Sequence, residues 1–262
     1  MNCIIKYGRN VGAISDRVEA DSHKHWLLQL FLSIEEELDI KVKGQLIPCH
    51  ALLVNMDTEH AFNTGGNIHF TMLIDPTTEL GRAMRQLLIG QSFYVLPQAD
   101  IAVLQQAFRK ALARREHSTL LSFVQSLAAY FTSNDRVADR VLDKGADRRA
   151  FDERIIRVLE LLACCADDDE SHQLKYFSQE TYLSESRLAH LFKDETGIPL
   201  KSYLVLHKLQ RAYESIFDGE TITTAALRAG FDSPSHLAYT NKMMTGMSAT
   251  SIIKDSAFLK VF

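Results

Sequence analysis

His23-Lys24-His25 puts two imidazoles two residues apart, so on an extended chain both project from one face. Trp26 and Gln29 follow, and His60 stands in the later stretch Asp57-Thr58-Glu59-His60. Imidazoles placed this way can share a transition metal, line a pocket for an organic ligand, or pack against the chain itself. Trp26, the one tryptophan, lines such a pocket or anchors the surrounding strands. The pattern elsewhere holds little for catalysis: there is no glycine-rich phosphate loop, no G-x-S-x-G elbow and no cysteine pair at zinc spacing. Cys49 adjoins His50, but neighbours on a strand face opposite sides, so they make no nucleophile–base pair and no enzyme is expected.

A second pattern falls late in the chain. Leu174 and Phe177 mark the buried side of a helix over about His172–Glu180; Ser184 then caps another, with Leu188, Leu191 and Phe192 inward and Gly197 at its end. Ser186, Arg187, Ala189, His190 and Lys193 are left on or near its outward face. Two short helices joined by a tight turn, the second with a polar outer face, fit a helix-turn-helix, whose second helix has the width of a B-DNA major groove. The arrangement returns at Thr221–Lys242. Thr221 caps a helix packed through Ala225, Ala226 and Leu227, and Ser233 caps the next, with Pro234 at its first position. Each unit closes on Thr-Gly, at Thr196-Gly197 and Thr245-Gly246, and an apolar helix over Leu200–Ile216 joins the two.

The elements that position these residues change character along the chain. Residues 1–75 carry short β-type runs (Trp26–Ile34, Leu38–Val42, Gln45–Ile47, Ala51–Val54, Ile68–Ile74), with a hairpin turn at Lys41–Gln45. Their spacing suggests a small sandwich or barrel. Helices follow: one capped by Thr78 and ended at Gly90, one from Gln98 to Arg115, and one from Ser118 to Phe131. The last has an apolar stripe that packs within the chain or forms a dimer seam. Residues 132–150 read as a polar linker, and everything from Phe151 to Phe262 reads as short helices.

The expectation is an α+β chain with domains 1–131 and 151–262. Its 262 residues, 46% hydrophobic and 24% charged, exclude a disordered or collagen-like chain. The apolar runs are too short to cross a membrane, and no signal peptide is evident. Four cysteines, two of them adjacent at Cys164–Cys165, fit a reducing compartment such as the cytoplasm. Residues 151–262 hold 12 Lys and Arg against 16 Asp and Glu, an acidic balance that weakens non-specific attraction to DNA and makes salt sensitivity steep.

The run Leu183-Ser-x-Ser-Arg-Leu-x-x-Leu-Phe-Lys-x-x-Thr-Gly, with Ala225-Ala226…Gly230-Phe231-Asp-Ser-x-Ser-His-Leu, resembles the double helix-turn-helix domain of AraC/XylS transcription regulators. The resemblance implies two reading helices held by the joining helix, with DNA-facing positions at Ser186, Arg187, Ala189, His190 and Lys193. In the second helix they fall at Ser235, His236, Tyr239 and Lys242, with Thr240 near the backbone. The second unit departs from the family where Asn241, Ala249 and Ile252 replace a Phe, a Pro and a Tyr, which removes an apolar anchor. The resemblance further implies a cupin-like N-terminal barrel that binds a small-molecule effector and supports a homodimer, with promoter DNA and RNA polymerase as partners. His23, His25, Trp26, Gln29 and His60 are the effector-pocket candidates. Metal cupins use a similar set with a carboxylate where this chain has Gln29, a poor ligand, so neither metal nor cofactor is expected. The other readings are a regulator working through protein contacts and a cupin enzyme with a helical tail.

Overall fold

The computed structural model describes residues 2–114, 116–133, 151–163, 174–253 and 256–261. Two compact units emerge, one of Met1–Ala146 with Met243–Phe262, the other of Asp147–Lys242. The division differs from the expected one at the chain's end, where Met243–Phe262 groups with the first unit. The linker expected over 132–150 lies, from residue 134 on, outside the described residues, as do Cys164 and Cys165.

The first unit is built on β1 (Asn2–Tyr7), β2 (Asn10–Ser15), β3 (Glu19–His23), β4 (Leu28–Ser33), β5 (Leu38–Val42), β6 (Gln45–Cys49), β7 (Ala51–Val54), β8 (His60–Asn63), β9 (His69–Ile74), β10 (Phe93–Val95) and β11 (Ser256–Val261). One sheet has the order β10-β7-β4-β9-β2-β1-β11, the other β3-β8-β5-β6. The expected hairpin is present: Lys43 and Gly44 take φ of 50° and 78° between β5 and β6, the left-handed pair that a two-residue turn needs to match strand twist.

Alternation along β4 explains how both sides of the large sheet are buried. Leu28, Leu30 and Leu32 enter one core, and Phe31 enters a second with Leu52 and Val54 of β7 and Ile40, Val42 and Phe62 of the small sheet. The two sheets therefore pack as layers. The expected barrel does not close, because among the described residues no ladder joins the sheets. The chain changes sheet at His50, whose carbonyl accepts from Ser33 N at 2.8 Å, and β3 carries a register shift between Ala20 and His23.

Three helices cover the outer core: α1 (Glu79–Leu87), α2 (Gln98–Arg114) and α3 (His117–Thr132). Thr78 caps α1 by accepting from Gly81 N at 3.1 Å. The α3 stripe, Leu120, Phe123, Val124, Leu127, Ala128 and Phe131, is buried in the same core, so it packs within the chain. Phe108 stacks on Phe123 at 5.1 Å and Phe70 meets Phe123 edge-on at 4.9 Å. Each such ring contributes about 1.5–3 kcal/mol by burial.

The reading of everything after Phe151 as helix fails at β11, which pairs in parallel with β1 from Asn2↔Ser256 to Tyr7↔Val261. The open edge of β1 offers these residues a ladder. The second unit is helical: α4 (Glu153–Ala163), α5 (Leu174–Glu180), α6 (Glu185–Thr196), α7 (Leu200–Phe217), α8 (Ile222–Arg228) and the start of α9 (Pro234–Thr245). A short α10 (Ala249–Ile253) precedes β11.

Candidate nucleic-acid interface and a buried histidine cluster

Both helix-turn-helix units are closed by the same local chemistry. Ser184 Oγ accepts from Arg187 N at 3.3 Å, and Ser233 Oγ accepts from His236 N at 3.1 Å, so the second helix of each unit starts on a serine cap. Each ends on a left-handed glycine, Gly197 at φ 79° and Gly246 at φ 68°. The preceding threonine hydroxyl braces the turn, accepting from Ile198 N and from Met247 N, both at 3.1 Å. The turns between paired helices also match. Leu183 N donates to Ser178 O and Phe231 N to Ala226 O, both at 3.0 Å, with Tyr182 at φ 55° in one left-handed position and Gly230 at φ 80° in the other.

Packing sets the outward faces. Leu188 and Phe192 of α6 and Leu237 of α9 are buried. Ser186, Arg187, His190 and Lys193 are exposed and Ala189 half-buried; Ser235, His236, Tyr239 and Lys242 are exposed on α9. His190 Nδ1 meets Ser186 O at 2.8 Å, and His236 Nδ1 lies 3.0 Å from Asp232 Oδ2. Thr240 differs from the expectation: it is buried on the packed side of α9, turned from solvent. Leu227, expected in the α8 packing, is exposed, whereas Ala225 and Ala226 are buried, small residues that let neighbouring backbones approach.

Asn241 is fully buried. Its Oδ1 accepts from Tyr213 Oη of α7 at 2.7 Å, so a polar tie stands where the apolar anchor was missing. Burial pushes the Tyr213 phenol well above its usual value, which keeps it a donor. Lys208 Nζ donates to Gly230 O at 2.8 Å and braces the second turn. Neither Lys208 nor Tyr213 stood out in the sequence, because both lie within an otherwise apolar helical stripe.

In the first unit, β3, the bend after it, β4 and β8 bring His23, His25, Gln29 and His60 together, all buried. One ligand nitrogen from each histidine lies within 4.8 Å of those of the other two. Gln29 Oε1 lies 3.0 Å from His25 Nε2 and 2.7 Å from His60 Nε2, and Gln29 Nε2 donates to Thr71 Oγ1 at 3.1 Å. Burial, then the neighbouring imidazoles, hold His25 down to about 4 and His60 to about 3, so both rings are neutral near pH 7. Trp26 lies apart, partly exposed in the bend and outside the ring contacts of the cluster.

Cys49 and His50 do separate as expected. His50 Nδ1 lies 3.1 Å from Ser33 Oγ, whereas Cys49 is buried toward Leu38 O. Burial, with the negative charges of Glu37 and Asp39, pushes the Cys49 thiol up to about 12, far from a thiolate nucleophile.

Two short helices with a capped, outward-facing second member occur twice, before and after one long helix, which is the helix-turn-helix arrangement. Residues 177–255 match the family described as a helix-turn-helix domain, and this part of the chain is a helix-turn-helix domain of AraC type. The chain is 31% identical over 102 residues to the regulatory protein Ada of Salmonella typhimurium, covering 37% of this chain and spanning 29% of that protein's length. Across nearly the whole chain the fold is that of ToxT from Vibrio cholerae. The ToxT structure from strain O395 gives a TM-score of 0.55 at 12% identity, covering 94% of this chain and 98% of that one. Unsaturated fatty acid-bound wild-type ToxT from strain SCE256 gives 0.58 at 12% identity, covering 93% and 94%.

Proposed function

We propose that this chain is a transcription regulator that reads double-stranded promoter DNA through α6 and α9. The observation that carries this is the duplicated, identically capped helix-turn-helix, with Ser186, Arg187, His190 and Lys193 on one exposed helix face and Ser235, His236, Tyr239 and Lys242 on the other. Arg187 and the two lysines suit phosphates and guanine edges, and serine and histidine suit either, whereas Ala189 offers only a methyl contact. The first unit is the sensing half, as the fatty acid-bound ToxT of the same fold suggests, and it supports a homodimer. His23, His25, Gln29 and His60 are its ligand-facing residues. The protein acts by binding, in the cytoplasm where promoter DNA is found, with RNA polymerase as a further partner. No helix among the described residues is long and apolar enough to cross a membrane.

Fluorescence anisotropy with duplex DNA from upstream of its own gene, against scrambled duplex, tests the reading. The expected result is preference for the upstream DNA that falls steeply as salt rises. Equal binding of both duplexes at every salt concentration would remove the sequence-reading role.

A further inference from the structure

The turn between paired helices is built twice, and only one copy carries a side chain at its left-handed position. After α5, Tyr182 N donates to Gln179 O at 3.2 Å and Leu183 N to Ser178 O at 3.0 Å. After α8, Gly230 N donates to Leu227 O and Phe231 N to Ala226 O, both at 3.0 Å. These are the two bonds of a Schellman motif, whose left-handed residue is ordinarily glycine. Gly230 follows that rule at φ 80°, whereas Tyr182 takes φ 55° with a bulky side chain. Its neighbours anchor the turn. Thr181 is buried, its hydroxyl donating to Phe177 O at 2.7 Å, and Leu183 is half-buried, while Tyr182 is 96% exposed. The fold therefore gains little from a phenol where glycine would sit without strain, and a strained, solvated side chain points to a task outside the fold.

Helix-turn-helix geometry says where that side chain stands on DNA. The second helix enters the major groove by its N-terminal residues while the first crosses the backbone. Tyr182 joins the two, just ahead of the Ser184 cap of α6, and so lies beside the sugar–phosphate strand that borders the groove. Free cationic donors are scarce nearby. Arg157 is held by Glu180 at 3.0 Å and Arg154 by Asp152 at 2.7 Å, in a helical half whose charge balance is acidic. A neutral hydroxyl donates to a phosphate oxygen without pairing with those carboxylates, and the ring covers the adjoining sugar.

We propose that Tyr182 is a sugar–phosphate contact of the first reading helix, its Oη donating to a phosphate oxygen of duplex DNA. The proposal deepens the DNA-reading function given above and rests on it. A phosphate carries no sequence information, so the contact adds affinity without preference. A phenol carries no charge, so the contact releases no counterion and leaves the salt dependence as it was.

The test compares full-length wild type with Tyr182→Phe, Tyr182→Gly and Lys193→Ala. Each is titrated with the upstream and scrambled duplexes over a range of salt by anisotropy, and each is unfolded in urea. Tyr182→Phe is expected to bind both duplexes about 10-fold more weakly, by the same factor, with an unchanged slope of log affinity on log salt. Lys193→Ala should instead lower that slope by about 1. Tyr182→Gly should lose at least as much affinity as Tyr182→Phe, although its urea midpoint is no lower than that of the wild type. Weaker binding by a fold that is no less stable is a result a purely structural role does not give. Wild-type affinity in the folded Tyr182→Phe variant would overturn the phosphate bond, and a loss confined to the upstream duplex would place the ring on a base instead. If the wild type prefers the upstream duplex and the Tyr182 variants match it, the contact fails and the reading function stands. If the wild type binds both duplexes equally, sequence reading fails, while the loss in Tyr182→Phe is still measured on either duplex. A folded wild type that binds neither duplex overturns both.

Discussion

Tyr182 holds a left-handed backbone, φ 55°, while its side chain is 96% exposed. For an L residue that conformation costs roughly 1–2 kcal/mol, and this ring recovers little of it by burial. Gly230 occupies the same position in the second unit without that cost. Tyr182→Gly is therefore expected to raise stability by about 1 kcal/mol in urea unfolding, less the entropy a glycine adds to the unfolded chain. A fall in stability would mean the ring packs against something. Asn241 presents the opposite case, a buried polar group satisfied by Tyr213. Asn241→Ala removes the acceptor and leaves a buried phenol without that bond, at about 1–3 kcal/mol. Tyr213→Phe with Asn241→Leu removes both partners, and the double variant is expected to lose less than the sum of the two single variants. The cysteines offer a third test. Cys3 and Cys49 are buried, and burial raises both thiols, Cys49 to about 12, so thiolate is scarce at pH 8. Iodoacetamide should leave both unlabelled in the native chain and label them after denaturation, read by peptide mass spectrometry. Native labelling of Cys49 would show that β6 opens.

At the scale of elements, α6 divides its residues between two tasks. Leu188 is fully buried, so Leu188→Asp places an unpaired charge in the helical core and should cost ~3 kcal/mol or more, seen as loss of the cooperative melt. His190 and Lys193 are exposed on the other side. Replacing both by Ala should leave the melt unchanged and weaken upstream-DNA binding about 10-fold or more; unchanged affinity would take α6 out of the reading role. That division was legible in the sequence, because a capped helix with a 3–4 apolar rhythm fixes its own faces. Ser184, Thr221, Ser233 and Thr78 all cap where their residue types suggest. The strands were less legible. β4, β5, β7 and β9 show in runs of large apolar residues, but β3, Glu-Ala-Asp-Ser-His, carries no such run and is a strand through its pairing with β8. The same limit hid the geometry of the histidine cluster. Residue spacing shows His23 and His25 on one face, but only β8 brings His60 to them, and only the backbone carbonyls fix the tautomers.

For the molecule as a whole, the question is what the return of the chain's end to the first unit contributes. Local rhythm could not reveal it, since pairing of β11 with β1 joins opposite ends of the sequence. The return starts before the strand. Gly246 O accepts from Asp21 N at 3.2 Å, and Met247 packs on the core between the sheets. A Cβ on Gly246 would stand 2.4 Å from Asp21 O and 2.7 Å from His23 Nδ1, whereas one on Gly90, at a similar φ of 75°, would meet nothing within 4 Å. The two glycines thus separate backbone strain from lost docking. Gly90→Ala should cost only the left-handed penalty, about 1 kcal/mol. Gly246→Ala should cost clearly more, because the clash is with backbone, which cannot rotate away. It should also increase hydrogen exchange at Asp21 N, whose partner is displaced. Equal losses from the two substitutions, with exchange at Asp21 unchanged, would mean that the Gly246 turn is not docked on β3 in solution.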